Sequence, residues 1–232
     1  MHEQDTREAI GSAPDSEGAS QAQLAYRVLE EMIVTLKLPP GSKISEKALN
    51  RSLGLGRTPL REALQRLAIE GTVAILPRSG VIVSAIELGD QLGMIEVRRE
   101  LEKIIAGRAA RLAGVDERRR FSQLALDFAR AGATNDESVF IETDREFNTL
   151  ITATAHNKYV AYAIAPIEAQ TRRFWYLYFE RFGDLQHVSA LHAAICRVVA
   201  VNDEPGARAA SDRLLDYVEE YTRKTLHAMG VL

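Results

Sequence analysis

KISEKALNRSLGLGRTPLREALQRLAIEGTVAILPRSGVIV, residues 43–83, is the stretch that decides the fold of the first part of the chain. From Arg57 onwards its apolar residues recur at helical spacing, which predicts an amphipathic helix: Leu60, Ala63, Leu64, Leu67 and Ala68. A shorter helix is predicted before it, with Ser45 as its N-cap, and Gly54-Leu55-Gly56 supplies the turn between the two. Two helices joined by a short glycine-containing turn indicate a helix-turn-helix.

Two β-prone runs follow the second helix, which we expect to end at Gly71. The runs cover residues 73–76 and 81–83, and Pro77-Arg78-Ser79-Gly80 between them predicts a hairpin turn with a basic tip. A hairpin directly after a helix-turn-helix indicates a winged helix-turn-helix.

Positive charge is concentrated in the same stretch. Residues 43–80 contain seven Lys or Arg and three Glu, although the whole chain has a formal net charge of −3. These arginines could simply form a solvated helix face, which is the usual place of surface charge. A locally basic surface on an acidic protein nevertheless favours contacts with the phosphates of nucleic acid.

A family resemblance makes this expectation specific. Pro39-Pro40-Gly41, Arg57-Thr58-Pro59-Leu60-Arg61-Glu62-Ala63-Leu64, Gly71 and Arg78-Ser79-Gly80 together resemble the DNA-binding domain of GntR-family bacterial transcription regulators, over about residues 20–85. The resemblance implies that double-stranded operator DNA is contacted by Lys47, Arg57, Thr58 and Arg61, and at the wing tip by Arg78, Ser79 and Gly80. The family usually has Ser or Thr where this chain has Gly56, and glycine as an N-cap costs only a few tenths of a kcal/mol.

The remaining organisation follows from composition and periodicity. Residues 1–19 are polar and lack an apolar period, which predicts a disordered tail, and a long amphipathic helix is expected over 21–37. Beyond about residue 87 the strand pattern disappears, so that 20–85 and 87–232 are the expected domains. The second domain is predicted to be an all-α antiparallel bundle with helices at about 87–113, 116–131, 136–155, 157–182, 184–201 and 204–228. The expected fold class is therefore mainly α.

The sequence disfavours a membrane-spanning protein and a protein stabilised by internal disulfide bonds. No apolar run approaches the ~18 residues of a membrane span, and no signal-peptide pattern opens the sequence. The single cysteine, Cys196, lies in an apolar helical context and is expected to be a buried thiol. We expect a cytoplasmic protein without a membrane partner.

The helical half resembles the FCD domain of the FadR-type branch of the same family, in its shorter, VanR-like form. The matching landmarks are residues 96–102, 144–148, 156–157 and 191–195. The resemblance implies homodimerisation and the binding of a small carboxylic-acid effector. Many members of that family also hold a divalent metal at positions that correspond here to Asp144, Asn148, His192 and Leu214.

Only Asp144 and His192 are good metal ligands among those four positions, so the ligand set is incomplete. We therefore predict no firm cofactor and favour a polar, hydrogen-bonded cavity, with a metal on Asp144 and His192 as the alternative. The residues predicted to bind the effector are Arg98, Asp144, Asn148, Arg172 and His192. Arginine suits a carboxylate because its planar fork can bind both oxygens.

Two alternatives remain open for these residues. Arg98 could equally form a structural ion pair with Glu102 on its own helix. Either Arg172 or Arg173 could face the cavity, with Trp175, Tyr176 or Tyr178 as a wall, although aromatic residues at helical spacing are more often core or dimer interface.

The sequence thus predicts a sequence-specific DNA-binding transcription regulator, a repressor, that acts as a homodimer and responds to a carboxylic acid. One alternative is a constitutive DNA-binding dimer whose helical domain binds no effector. A metal-dependent enzyme is disfavoured, because no nucleophile–base pair and no complete ligand set appear.

Overall fold

The computed structural model describes residues 15–232, with the side chains of residues 21–232 except that of residue 180. The chain divides into two compact units, one ending at Ser84 and the other running from Ala85 to Leu232, with Val34–Leu36 grouped with the second. The first unit contains α1 (Asp15–Val34), β1 (Lys43–Ile44), α2 (Glu46–Leu53), α3 (Arg57–Ile69), β2 (Val73–Leu76) and β3 (Gly80–Val83). No described helix has the length and apolar character that crossing a membrane requires.

Helix α1 differs from the sequence prediction at both ends. It begins at Asp15, so residues 15–19 are helical, whereas the sequence predicts a disordered tail there; residues 1–14 of the predicted tail lie outside the described part. The helix ends at Val34 and not at Lys37, because Leu36 adopts a left-handed φ of 59°. The N–H of Leu38 then donates to the carbonyl of Met32 (2.8 Å), which satisfies one of the last carbonyls of the helix.

The helix-turn-helix forms where the sequence predicts it. Ser45 is extended and its hydroxyl accepts the N–H of Ala48 (3.2 Å), and α2 ends at Gly54 with a left-handed φ of 65°. Leu55 fills the angle between the helices with only 8% of its surface exposed. Gly56, as expected, caps α3 without a side-chain hydrogen bond.

Gly71 ends α3 through a Schellman motif. Its φ is 76°, its N–H donates to Ala68 (3.1 Å), and the N–H of Thr72 donates to Leu67 (3.0 Å). A left-handed residue is required here, and glycine adopts that conformation without steric cost. The turn directs the chain from the end of α3 straight into β2.

The wing is a three-stranded sheet rather than the two-stranded hairpin of the prediction. Strands β2 and β3 form the expected antiparallel hairpin, and β1 pairs antiparallel with the other side of β3, so that the order is β1-β3-β2. Lys43 lies opposite Ile82, and Ile44 lies opposite Val81. Strand β3 is therefore the centre of the sheet.

The apolar stripe of α3 faces a small core. Leu60, Leu64 and Leu67 are at most 2% exposed and cluster with Leu29 and Ile33 of α1. Burying a leucine side chain stabilises a fold by about 1.5–3 kcal/mol, so this stripe fixes the orientation of the helix. The opposite face of α3 is left to its polar side chains.

The second unit is the predicted helical domain, with α4 (Gln91–Leu112), α5 (Val115–Thr134), α6 (Glu137–Thr154), α7 (Lys158–Phe182), α8 (Leu185–Ala200) and α9 (Glu204–Ala228). The six helices agree with the predicted ones within a few residues; the largest difference is that α4 begins at Gln91 and not at 87. The mainly α fold class is confirmed. Helix α5 packs on α8 and α4 packs on α9, and Phe121, Leu124 and Phe128 of α5 are fully buried.

Candidate nucleic-acid interface and internal chambers

The N-terminal turn of α3 presents polar side chains to solvent. Arg57, Thr58 and Arg61 are exposed, because the buried stripe occupies the other face of the helix. Lys47 on α2 is also exposed. These are four of the positions that the sequence predicts to contact DNA.

Arg61 has an acidic neighbour within its own domain. Its Nε lies 3.0 Å from Oε2 of Glu46 on α2, and 67% of the arginine side chain remains exposed. Exposed ion pairs contribute about 0–1 kcal/mol, so this contact leaves the guanidinium available to a stronger anionic partner.

A different arginine of α3 has a structural role. The guanidinium of Arg66 lies 3.6 Å from the ring centroid of Tyr26 on α1, and its Nε is 3.0 Å from Glu70. The Tyr26 hydroxyl donates to the same Glu70 (2.9 Å). Burial, followed by the negative charges of Glu30 and Glu70, raises the pKa of Tyr26, so this hydroxyl remains protonated. Arg66 therefore stabilises the packing of α3 on α1, whereas Arg57 and Arg61 remain available at the surface.

The wing tip is exposed and its backbone is unusual. Arg78, Ser79 and Gly80 are all exposed. Arg78 has a φ of 63°, a left-handed conformation that costs a non-glycine residue roughly 1–2 kcal/mol. The N–H of Ser79 donates to Leu76 (3.1 Å), which closes the turn. The strained conformation holds an arginine at the extreme end of the hairpin.

Two chambers lie side by side within the helical domain, between α4, α6, α7, α8 and α9. The first chamber has a cavity volume of about 50 Å³, and the polar side chains that line it include Gln91, Arg98, Asp144, Thr171, Arg172, Tyr176, His192 and Thr222. The second chamber has a cavity volume of about 20 Å³, and its polar lining consists of Arg98, Glu102, Asn148, Thr152, Glu168, His192 and Ser211. Arg98, His192 and Leu214 line both and form the partition.

Arg98 forms the ion pair with Glu102 that its sequence position allowed, and it also lines the chambers. Its Nε donates to Glu102 Oε1 (2.6 Å) and its Nη1 donates to the Thr171 hydroxyl (3.2 Å), while the side chain lines both chambers. Burial disfavours the charged guanidinium, but the charges of Glu102 and Glu168 outweigh burial and raise the pKa of Arg98. The ion pair therefore keeps a positive charge in the chamber wall.

Asp144 is the centre of the polar contacts in the first chamber. Its Oδ1 lies 3.4 Å from Nε2 of His192, and its Oδ2 lies 3.6 Å from Nε of Arg172. Burial opposes ionisation of this carboxyl, but the hydrogen bond from His192 and the charge of Arg172 hold its pKa below the usual value. Asp144 is therefore an anion with a cation beside it.

The imidazole of His192 is held from several sides. Its Nδ1 lies 2.9 Å from the carbonyl oxygen of Val188, and its ring stacks on Phe128 with centroids 4.9 Å apart. Phe140 and Phe147 meet the ring edge-on, both at 5.5 Å. This packing fixes the direction in which Nε2 points, toward Asp144.

The residues present do not fit the divalent metal that the family resemblance implies. Among the described residues there is no group of three or more His, Cys, Asp or Glu that could hold a metal ion. Leu214 is buried in the partition and offers no donor, and Asn148 faces the second chamber. The Arg172 guanidinium beside Asp144 supplies the positive charge that a metal would otherwise bring.

The structure brings four of the five residues predicted to bind an effector, Arg98, Asp144, Arg172 and His192, to the first chamber and separates Asn148 from it. Of the two candidate arginines, Arg172 lines this chamber, whereas Arg173 is fully buried and donates to Gln170 (3.0 Å). Trp175 and Tyr176 form part of the wall. Tyr178 packs on Phe174 instead, with ring centroids 5.0 Å apart.

Sequence reasoning missed several polar residues of the chambers: Gln91, Thr171, Glu168 and Ser211. Burial, and next the charge of Glu102, raises the pKa of the Glu168 carboxyl to about 8. One signal was available, because Glu168 precedes Arg172 by four residues and so shares a helix face with it.

Comparison with known proteins agrees with this architecture. The family described as "Bacterial regulatory proteins, gntR family" matches residues 21–83, and the FCD domain matches residues 93–217. The HTH-type transcriptional repressor RspR of Escherichia coli is 25% identical over 202 residues, which are 87% of this chain and 89% of that protein. An uncharacterized HTH-type regulator of Agrobacterium vitis is 38% identical over 103 residues, 44% of this chain and 59% of that protein.

Solved structures show the same fold at low identity. The E. coli McbR/YncC structure superposes with a TM-score of 0.76 at 17% identity, covering 88% of this chain and 98% of that one. A GntR regulator from Rhodococcus sp. RHA1 superposes with a TM-score of 0.62 at 19% identity, covering 90% and 99%. The chain therefore belongs to the GntR family of bacterial transcription regulators, in the branch with an FCD domain, and is a DNA-binding regulator rather than an enzyme.

Proposed function

We propose that the protein represses transcription as a homodimer on a pseudo-palindromic operator, and that a small carboxylic acid bound in the first chamber changes its operator affinity. The observation that carries the DNA part is the exposed polar edge of α3, held outward by a buried leucine stripe. Repression is supported by the relative RspR, whose name describes a repressor. Dimerisation accounts for a two-fold symmetric operator, with one recognition helix for each half-site.

In this proposal Arg57 and Arg61 reach guanine edges or phosphates in the major groove, while Thr58 and Lys47 fix the register on the backbone. The wing tip, with Arg78 followed by Ser79 and Gly80, approaches the backbone or the minor groove. The strained φ of Arg78 supports this role, because a residue held at an energetic cost is often one that function requires.

The DNA-binding proposal is tested with Arg57→Ala and Arg61→Ala in fluorescence anisotropy on promoter fragments. Each variant should lose about 1–3 kcal/mol of operator binding, roughly 5- to 150-fold in Kd. Arg119→Ala is the matched control, because it removes an exposed arginine of the helical domain, which lies 3.2 Å from Asp116. Unchanged affinity in both α3 variants would remove this helix from the interface.

The effector part of the proposal depends on the charge in the first chamber. Arg98 and Arg172 both line this chamber. Arg98 lies 2.6 Å from Glu102, and Arg172 lies 3.6 Å from Asp144. The carboxylate of an effector would displace these acidic side chains from the arginines or share the arginines with them. The cavity volume of about 50 Å³ has room for roughly a few water molecules, so a ligand larger than that requires side chains to move. Trp175 and Tyr176 supply an apolar wall for the remainder of the molecule.

This part is tested with Arg98→Ala and Arg98→Lys. Arg98→Ala should retain operator affinity but lose the response to acids, and Arg98→Lys should recover only part of it because an ammonium lacks the planar fork. A retained response in Arg98→Ala would exclude the assigned role.

A constitutive DNA-binding dimer is the second candidate, and the internal ion pairs favour it, since both arginines already have carboxylate neighbours. A thermal-shift screen of organic acids separates the two candidates. A ligand that binds only the folded state at 100 times its Kd stabilises by about 2.7 kcal/mol and raises the melting temperature. No shift with any acid would favour the constitutive dimer.

A further inference from the structure

The second chamber is chemically the opposite of the first. It adjoins the first chamber through the partition of Arg98, His192 and Leu214, but beyond that partition its polar atoms are mostly acceptors. We propose that the second chamber binds a protonated amine of the effector, so that the effector is an amino acid in the broad sense. This inference rests on the proposed carboxylate site in the first chamber.

More acidic than basic side chains line the second chamber. Its lining contains two carboxyl groups, Glu102 and Glu168, and one guanidinium, Arg98, whose Nε lies 2.6 Å from Glu102. The charges of Arg172 on α7 and Asp144 on α6 also act on the Glu168 carboxyl. His192 of α8 lines the same chamber. The carboxyl of Glu168 lines this chamber, and burial, followed by the charge of Glu102, raises its pKa to about 8, so that it holds a proton at neutral pH. An ammonium group in the chamber would favour ionisation of this carboxyl and would then lie beside two carboxylates.

An independent observation comes from Ser211 of α9. The residue is only 1% exposed, it lines the second chamber, and in the part of the chain that the structure describes its Oγ has no hydrogen-bond partner. Buried polar groups without a partner are uncommon and often mark the place of a ligand or a water molecule. Asn148, on α6, lines the same space.

The acceptors match an ammonium group in number and size. An ammonium has three donors, and the chamber offers the carboxyl of Glu168, the hydroxyl of Ser211 and the amide oxygen of Asn148. The cavity volume of about 20 Å³ suffices for roughly one water-sized group. An ammonium group is of that size, whereas a larger head group is not.

The test compares matched ligands on the full chain by isothermal titration calorimetry. The probes are straight-chain acids of three to six carbons, each with its 2-amino, ω-amino and ω-hydroxy counterpart. For at least one length, an amino acid should bind at least 10-fold more tightly than the plain and the hydroxy acid. Glu168→Gln should reduce this preference below about threefold and leave the Kd of the plain acid within about twofold.

Ser211→Ala provides a second variant with the smallest change of volume, and it should reduce the preference severalfold. Glu142→Gln, an exposed glutamate on α6, is the matched control and should leave the preference unchanged. Circular dichroism and operator binding confirm that each variant is folded.

The outcomes distinguish the inference from the proposed function. If plain acids bind through Arg98 but no amino counterpart binds more tightly, the inference is overturned and the carboxylate site stands. If an amino acid is preferred and both Glu168→Gln and Ser211→Ala retain the preference, the amine binds elsewhere and the assignment to the second chamber is overturned. If no probe of either kind binds while the operator is still bound, the effector proposal and this inference fail together.

Discussion

Glu168→Gln should remove a large part of the pH dependence of stability of the helical domain. The carboxyl has a usual pKa of 4.5, and in the folded chain burial and then Glu102 raise the pKa to about 8. Between these two values the folded state holds a proton that the unfolded state has released. The free energy of unfolding must therefore fall as the pH rises from about 4.5 to about 8, and become constant above that.

The size of the effect follows from the shift. A difference of about 3.5 pH units corresponds to about 5 kcal/mol at 1.36 kcal/mol per unit. This is an upper limit, because water penetration and small movements lower the cost of the buried charge. Glutamine has nearly the same shape and no titration, so the variant should be up to a few kcal/mol more stable than the parent at pH 9. Near pH 5 the difference should be small.

Urea unfolding at pH 5, 7 and 9 measures this difference. The fluorescence of Trp175, the one tryptophan of the chain, reports on the helical domain because the residue lines the first chamber. Glu142→Gln should follow the parent at every pH. Parallel profiles for Glu168→Gln and the parent, within about 0.5 kcal/mol, would mean that the pKa of Glu168 in the folded chain is close to its usual value.

The other predictions concern the DNA-binding domain and the thiol. Arg78→Gly should weaken operator binding yet leave thermal stability unchanged or up to about 1 kcal/mol higher, since glycine accepts a φ of 63°; a clear loss of stability would contradict the assigned strain. Glu46→Gln should tighten operator binding by up to about fivefold at low salt, and less at high salt, because it removes a negative charge 3.0 Å from Arg61; weaker binding would show instead that the pair positions the arginine. Cys196 should react with a thiol reagent at least 100-fold faster in urea than in the native protein, because it is buried and burial raises its pKa; rapid reaction of the native protein would exclude a buried thiol.

Local chemistry made the DNA-binding domain predictable. Ser45, Gly54 and Gly71 each satisfy or redirect the backbone at a helix end, and such signals act over a few residues, so that the sequence contains them in full. Strand β1 escaped prediction because two residues carry no alternation and pair only with a strand almost forty positions later. Its formation depends on tertiary contact and not on propensity.

The chambers were predictable only in part. Arg98, Asp144 and His192 were named through a family pattern, whereas Glu168 and Ser211 resemble ordinary polar positions of an amphipathic helix. Whether such a residue faces solvent or the interior depends on how five helices are rotated against each other. Periodicity determines which residues share one face, but it does not determine what another helix places opposite.

The position of β3 between two other strands has a consequence for how the DNA-binding domain opens. All four residues of β3 pair with β2, which forms the wing, and two of them, Val81 and Ile82, also pair with β1, which leads into α2. If either β1 or β2 separates from β3, the pairing of the other strand with β3 is weakened as well. In hydrogen-exchange experiments the amides of the wing and of the segment before α2 should therefore exchange as one cooperative unit and not as two separate ones.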